Sequence, residues 1–330
     1  MQEEKKQVML SGVKPTGRPH IGNYFGAMKQ WVDLQDQYKT YIFIPDYHAL
    51  ISVQDKKEME TAILDVAMDL LAIGINPEKV VLYKQSDVPA HVELAWIFNC
   101  LTTMPYLMRA HAFKDAEAKN KEVSVGLFSY PILMAADILM YDADVVPVGK
   151  DQQQHVEIAR DMADKFNNKF GDVFKRPQAL VKEEVAVVPG IDGQKMSKSY
   201  GNTIPLFAED DEIENIISKI PMDSKGIVDT KNPDDYPIYI IYKLFANGTE
   251  DREMREMFEK GGVGYGEIKR IVIDKIISFI APMREKRKEY TKNPEKVLKI
   301  LKKGGKIVKK QAEEKMKEVR KRVGFELYSQ

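Results

Sequence analysis

Val8-Met9-Leu10-Ser11-Gly12-Val13-Lys14-Pro15-Thr16-Gly17-Arg18-Pro19-His20-Ile21-Gly22-Asn23 decides the fold. Val8 to Leu10 is a short apolar strand, the glycine- and proline-bearing run after it is a loop, and a helical pattern opens at the His20-Ile21-Gly22-Asn23 tetrapeptide. A strand that passes through such a loop into a helix turns unpaired helix-terminal amide groups toward any ligand lying there, and favours an anion. Much later, Lys195-Met196-Ser197-Lys198-Ser199 puts two ammonium groups three positions apart in a polar loop. A lysine-rich loop alone reads as a solvated turn, and a lone tetrapeptide arises by chance. In this order, the two describe a site that holds a triphosphate.

Outward from that strand, the first 190 residues or so alternate β-branched or aromatic runs with helical patterns, which predicts a parallel sheet covered by helices. Strands are expected at Val8 to Leu10, Thr40 to Ile44, Val80 to Tyr83, Val145 to Val148 and Val185 to Val188. Helices are expected at Lys57 to Ile73, stopped by Gly74, and at Gln152 to Phe166. In doubly wound sheets ligands bind beyond the carboxyl ends of the strands, where both the 11–17 loop and the Val148-Gly149-Lys150-Asp151 loop fall. After Lys195 no strand pattern stands out. A helix is expected from about Glu209 to Lys219, and a long one from Pro294 to Val323 with Val308, Ala312, Met316, Val319 and Val323 as its buried stripe.

The chain has 330 residues, 44% hydrophobic and 30% charged, enough for one large α/β domain and a smaller one without any bias toward disorder. A single cysteine, Cys100, excludes a disulfide framework and a cysteine-rich metal site, fits a reducing compartment, and reads as a small buried apolar residue. No apolar run reaches membrane-spanning length, and the start is charged where a signal peptide needs an apolar core, so a cytoplasmic location is expected. The zero net charge hides an asymmetry: residues 284–322 carry 17 Lys or Arg against 6 Asp or Glu, leaving 33 basic and 44 acidic residues elsewhere. Such a basic segment suits a polyanion, or is simply a helix with a solvated lysine face. Trp31 and Trp96 sit at helical apolar spacings and are expected in the core.

Together, the 11–27 stretch, Tyr130-Pro131-Ile132-Leu133-Met134-Ala135-Ala136-Asp137 continuing through His155, and the Lys195–Ser199 motif resemble the bacterial-type tryptophanyl-tRNA synthetase family of class I aminoacyl-tRNA synthetases. The resemblance spans nearly the whole chain. It implies a Rossmann-type doubly wound catalytic domain over 1–206 with a helical insertion at about 100–140. A helical anticodon-binding domain over 207–293 and a C-terminal helix at 294–330 that can pack back toward the catalytic domain follow, as does a homodimer. The implied partners are tRNA(Trp), L-tryptophan and ATP with Mg²⁺, and neither a membrane nor DNA. The implied reaction is attack of the amino-acid carboxylate on the α-phosphorus of ATP, then acyl transfer to the tRNA 3′ end. The nucleophile is already an anion, so catalysis rests on positioning and charge neutralisation.

By the same resemblance, Lys195 and Lys198 neutralise the leaving pyrophosphate, His20 and Asn23 contact phosphates, and Gly22 admits the adenosine. Lys14, Pro15 and Thr16 line the nucleotide loop, Gly149, Lys150 and Asp151 lie by the ribose, Val188 lies near adenine, and Met196, Ser197 and Ser199 complete the mobile loop. Read alone, Gly149 is equally a strand-to-helix turn and Asp151 a helix N-cap. No metal-ligand cluster stands out. Lys14 departs from the glutamine common at its position, and Ala116 stands where relatives often carry a lysine, so Lys114, Lys119 or Lys121 is expected to serve. Glycines 190, 193 and 201 suggest a lid.

Asp137 is a lone carboxylate in an apolar run, and burying it unpaired would cost several kcal/mol. It needs a donor; an indole N–H is one, and a lysine or backbone group at the helix start is another. The resemblance assigns it the indole. Tyr130, Met134, Val146 and Val148 would wall the slot, Gln152 would hold the α-amino group, and His48, expected at the end of a strand, is a further wall or a structural residue. On this reading Asp137→Ala costs far more in activation than in stability. The rivals are a tyrosine-specific relative, a small-molecule nucleotidyltransferase and a non-catalytic RNA-binding paralogue; the pocket around Asp137 argues against the first, the basic tail against the second, and the intact His20, Lys195 and Lys198 against the third.

Overall fold

Five parallel strands form the centre of the molecule: β1 (Val8–Gly12), β2 (Lys39–Ile44), β3 (Val80–Lys84), β4 (Val145–Pro147) and β5 (Gln178–Leu180). Their spatial order is β3-β2-β1-β4-β5, so the chain winds outward from β1 in both directions. The computed structural model describes residues 6–15, 17–118, 122–149, 153–181 and 188–327, apart from the side chains at 111, 112, 115 and 116. In register, Met9 lies opposite both Thr40 and Val145, and Thr40 opposite Val80. The switch point between β1 and β4 opens the crevice that a doubly wound sheet offers to ligands.

The helices before the Lys195–Ser199 loop are α1 (Ile21–Asn23), α2 (Lys29–Leu34), α3 (Asp46–Ala49), α4 (Lys56–Ala72), α5 (Ala90–Cys100), α6 (Met104–Leu107), α7 (His111–Ala118), α8 (Val125–Leu139) and α9 (Gln153–Phe170). Beyond the Lys195–Ser199 loop come α10 (Asp210–Ser218), α11 (Pro237–Lys243), α12 (Gly248–Lys260), α13 (Tyr265–Lys292) and α14 (Pro294–Val323). Alternation along the strands divides the core in two. Ile42, Ile44, Val80 and Leu82 face one side, with α4 and the helical second half packed over them. Leu10, Tyr41, Phe43 and Tyr83 face the other, under α5, α8 and α9.

The α14 helix joins both halves. Val297 and Leu301 belong to the first core, and Val308, Ala312, Met316 and Val319 to the second, so the helix straddles the edge strand β3. It crosses at Gly304-Gly305, where a Cβ on Gly304 would lie 2.0 Å from the Leu82 carbonyl oxygen and one on Gly305 2.7 Å from Asp87. Glycine costs a helix interior about 1 kcal/mol relative to alanine. Here it lets a helix cover a sheet edge at backbone distance and closes that edge to other strands.

Four expected strands and the main helices appear within one to four residues of the predicted bounds, and α14 at both predicted ends. Three expectations change. Of the strand expected at Val185 to Val188, residues 185–187 lie outside the described residues, and β5 forms instead at Gln178–Leu180, three residues too short and too polar at its start to stand out. Trp31 is buried, but Trp96 is 68% exposed, its face of α5 uncovered among the described residues. Cys100, at the end of the same face, is exposed as well.

Candidate active site

The two motifs that opened the sequence meet in space. The segment after the lysine loop runs back along the first motif: Ile21 N donates to Ile204 O at 3.0 Å and Leu206 N to Pro19 O at 3.0 Å, with His20 bridged to Pro205. The lysine loop is itself a small hairpin, Pro189 bridged to Lys195 and Met196 N donating to Val188 O at 2.9 Å. Val188 and Met196 are buried together in the first core. A Cβ on Gly17 would lie 3.3 Å from Lys198 Nζ, so the second ammonium of the lysine motif reaches the nucleotide loop.

His20 caps the start of α1 and its backbone N–H donates to Asn23 Oδ1 at 3.1 Å. The Asn23 side-chain carbonyl oxygen thus steadies the loop, while its amide nitrogen is left to donate outward. The His20 ring is buried, its Nδ1 has no partner among the described residues, and burial, then the charge of Lys198, pushes its pKa down to about 4. At neutral pH the ring is uncharged, with capacity left for a ligand. A Cβ on Gly22 would lie 2.9 Å from His20 Nδ1 and 3.4 Å from Met196 Cβ, so the missing side chain makes room for this junction of motifs.

Around it lie the charges. Burial lowers the Lys198 pKa, opposed by Asp69 on α4. Asp69 is itself buried, and burial lifts its carboxyl to about 6 against the Arg287 guanidinium that contacts it from α13. Arg287 also pairs with Asp65 at 2.8 Å, tying the helical half to the floor beneath the lysine loop. Lys14 donates to Ser52 Oγ at 3.1 Å, and burial lowers its pKa. Lys195 is exposed, as is Gly149 just beyond β4. Thr16, Lys150, Asp151 and Gln152 lie outside the described residues, as do Lys119, Lys121 and the side chain of Ala116; Lys114 is exposed.

The second region lies across the sheet end. Asp137 sits on α8 at 0% exposure, and the donor it needs is supplied three times over. Its oxygens accept from His48 Nε2 at 2.9 Å and from Gln85 Nε2 at 2.7 and 2.9 Å, and His91 Nδ1 makes a further, very short contact. Burial alone would raise its pKa. The charge of His91 and the hydrogen bonds from His48 and His91 outweigh it and hold the carboxyl at about 2. His91 passes the network on to the Tyr141 hydroxyl at 2.7 Å, and Gln85 accepts from Tyr47 N at 3.1 Å.

Tyr130, Met134 and Asp137 stand at i, i+4 and i+7 on α8, and so share one face of the helix. The Tyr130 ring meets the His48 ring edge-on, centroids 6.0 Å apart, and its hydroxyl bonds His155 Nε2 at 2.9 Å. Met134 and Val148 are half-buried and Val146 buried in the core behind them. His48 lies in α3 rather than at a strand end, because Pro45 turns the chain directly after β2.

The match to known proteins spans both regions and most of the chain around them. The model of the tRNA synthetases class I (W and Y) matches residues 2–281. The chain belongs to this synthetase family. A tryptophan–tRNA ligase of Fusobacterium nucleatum is 45% identical over 96% of this chain and 97% of its own, and one of Campylobacter jejuni 46% identical over 96% and 99%. A crystal structure of tryptophanyl-tRNA synthetase from Campylobacter jejuni, complexed with ADP and tryptophan, is similar with a TM-score of 0.92, at 45% identity over 96% of this chain and all of that one. A tyrosyl-tRNA synthetase from Archaeoglobus fulgidus shares the fold at a TM-score of 0.67 and 20% identity.

Sequence reasoning missed two groups in this synthetase. Gln85 and His91 hold Asp137 but come from a turn after β3 and from α5, elements whose convergence no spacing reveals. Asn202, 2% exposed, holds the lysine loop: its Oδ1 accepts from Ser197 N at 2.8 Å, and its Nδ2 donates to Asp192 Oδ1 at 2.8 Å and Lys195 O at 3.2 Å. A Cβ on Gly190 would lie 2.3 Å from the Asn202 amide, so that glycine serves a close packing contact.

Proposed function

We propose that this synthetase activates L-tryptophan with ATP and transfers it to tRNA(Trp), and that the junction of the His20 loop with Lys198 is where the triphosphate lies. The observation that carries the reading is electrostatic: a neutral, partnerless His20 Nδ1 and the Lys198 ammonium converge on one helix start, an arrangement completed by an anion. The tryptophan carboxylate attacks the α-phosphorus without a general base. Lys195 and Lys198 gain interaction as charge develops on the departing pyrophosphate, which is the condition for lowering the barrier rather than merely binding ATP.

Lys195 and Lys198 are the charge neutralisers this chain itself supplies, and Mg²⁺ is proposed to join them on the ATP phosphates, where it needs no cluster of protein carboxylates. Lys14, Pro15, Thr16, Gly149, Lys150, Asp151 and Val188 are proposed to surround the nucleotide, and Gln152 to meet the α-amino group. Tyr130, Met134, Val146, Val148 and His48 are proposed to enclose the indole. The four acceptor sites of Asp137 are filled by protein donors. Of those donors only His48 is partly exposed, so its place at Oδ2 is the one an entering indole N–H takes.

Residues 207–293 are proposed to read the anticodon. Val92, Trp96 and Cys100 at i, i+4 and i+8 on α5, with exposed Met104 and Met108 beyond, offer an apolar face suited to a second copy of the chain. Sedimentation should then give a dimer that Trp96→Glu dissociates. No described helix is long and apolar enough to cross a membrane. The deciding experiment is ATP–pyrophosphate exchange with tryptophan, tyrosine and no amino acid, followed by charging of the matching tRNA. Exchange driven by tyrosine, or none with tryptophan, overturns the reading.

A further inference from the structure

A cleft of about 770 Å³ opens between α4 and α14, beyond the carboxyl ends of β2 and β3. Its floor is apolar, made by Ile63, Leu64, Leu298 and Leu301, and its carboxylates are already engaged. Asp46 accepts from Ser86 N at 2.9 Å and faces Lys84 at 3.8 Å, Asp87 pairs with Lys84 at 2.9 Å, and Glu60 with Lys56 at 3.8 Å. Three exposed lysines are left over. Lys302, Lys306 and Lys309 line the cleft from α14 and have no carboxylate within 4.0 Å among the described residues, whereas Lys303, Lys315 and Arg320 of the same helix reach Glu78, Asp142 and Glu93.

The spacing and position of the three lysines identify the occupant. Residues 302, 306 and 309 follow one helical face over about 10 Å, at about 1.5 Å per residue, which suits successive phosphates of one strand. A cationic wall that tracks the backbone is one of the two parts that hold single-stranded nucleic acid; the floor here is aliphatic, so phosphate contacts rather than base stacking carry the binding. The cleft also ends at Asp46, the first residue of the helix that carries His48 to Asp137. We propose that this cleft is an RNA-phosphate track in which the protein holds a single-stranded segment of its tRNA beside the reaction site. This rests on the reading of tRNA as the substrate, and it gives three of the tail's basic residues one ligand.

The test is binding of a labelled tRNA(Trp) transcript to the full-length protein between 50 and 200 mM salt. K302E/K306E/K309E is expected to weaken binding at least tenfold and to flatten the log–log salt slope by about 2, since each single-strand phosphate contact contributes about 0.7. K310E/K317E/K321E makes the same charge change at exposed positions that do not line the cleft, and is expected to stay within threefold of the parent. The neutral K302Q/K306Q/K309Q should fall between parent and charge reversal, which separates lost contact from repulsion. Equal weakening by both charge-reversed triples, or none by the first, overturns the track in favour of diffuse charge. Exchange with tryptophan is measured alongside: its absence in the parent overturns the proposed function, while the binding comparison still decides the cleft.

Discussion

The two sides of this site, the one proposed for the nucleotide and the one proposed for the amino acid, are opposites in how their charges are met. Around His20 and Lys198 the loops are fixed by backbone hydrogen bonds, yet among the described residues a ring nitrogen is left without a partner, and an exposed ammonium leans on a glycine loop. Around Asp137 each oxygen is taken, by three side chains from three separate elements. The first region is a rigid frame around incomplete electrostatics that a ligand completes. The second is complete in itself, and its polar network belongs to the fold as much as to the reaction.

The sharpest way to break that comparison is to remove one charge from each side. Asp137→Ala leaves His48, Gln85 and His91 facing a buried gap, and breaking a buried network in this way costs about 3–5 kcal/mol. The network thus adds a stability cost to the loss of activation expected from the sequence. Urea denaturation should show the loss directly, and a variant as stable as the parent would mean that the three donors find water instead. Lys198→Ala should do the opposite. Exchange should fall by about 10²–10³-fold, the usual effect of removing one transition-state contact, with stability unchanged within about 0.5 kcal/mol.

Next comes the frame itself. Asn202 touches neither proposed ligand but holds Ser197, Lys195 and Asp192 in one hairpin. Asn202→Ala should lower kcat for exchange about tenfold with KM for tryptophan unchanged, and cost about 1–2 kcal/mol for the donors and acceptors left unmet. An unchanged kcat would show that the lysines reach their positions by closure on the nucleotide alone. The contrast sharpens what Gly190, Gly193 and Gly201 do. Gly190 is crowded against Asn202, while Gly193 and Gly201 have φ of +80° and +65°, so turn geometry and packing account for them without appeal to motion.

The two sides also differ in how far they could be read from sequence. The meeting of the His20 and Lys198 motifs was legible because they lie in two contiguous runs whose local chemistry, glycine loop into helix and paired lysines, carries the meaning. The amino-acid side was legible only at Asp137, where a charge stands out in an apolar run. Gln85 and His91 gave no signal, since a glutamine after a strand and a histidine in a helix acquire their role only when β3, α5 and α8 converge. Trp96 and Cys100 misled for a related reason. Helical spacing of apolar residues predicts a buried face without saying what buries it, and none of the described residues covers that face of α5.

The smallest expected effect separates the two regions by pH. Asp137 has a folded pKa of about 2, below the unfolded carboxylate value, so its stabilisation is complete above about pH 4 and is lost as pH falls toward 2. His20 has a folded pKa of about 4 against 6.5 unfolded. Between those values the unfolded chain binds the proton and the folded one does not, so stability declines as pH falls from 6.5 to 4 and the decline ends there. Asp69, lifted to about 6, works with the opposite sign in an overlapping window: its folded form keeps a proton that the unfolded form has lost, and stability falls as pH rises from about 4 to 6. The overall curve therefore mixes the groups, and a difference is needed. His20→Gln should remove the decline between pH 6.5 and 4 while leaving the one below 4, with urea midpoints as the measure. If the two curves instead stay parallel throughout, the His20 ring is already solvated enough to titrate normally, and the nucleotide side is less incomplete than its geometry implies.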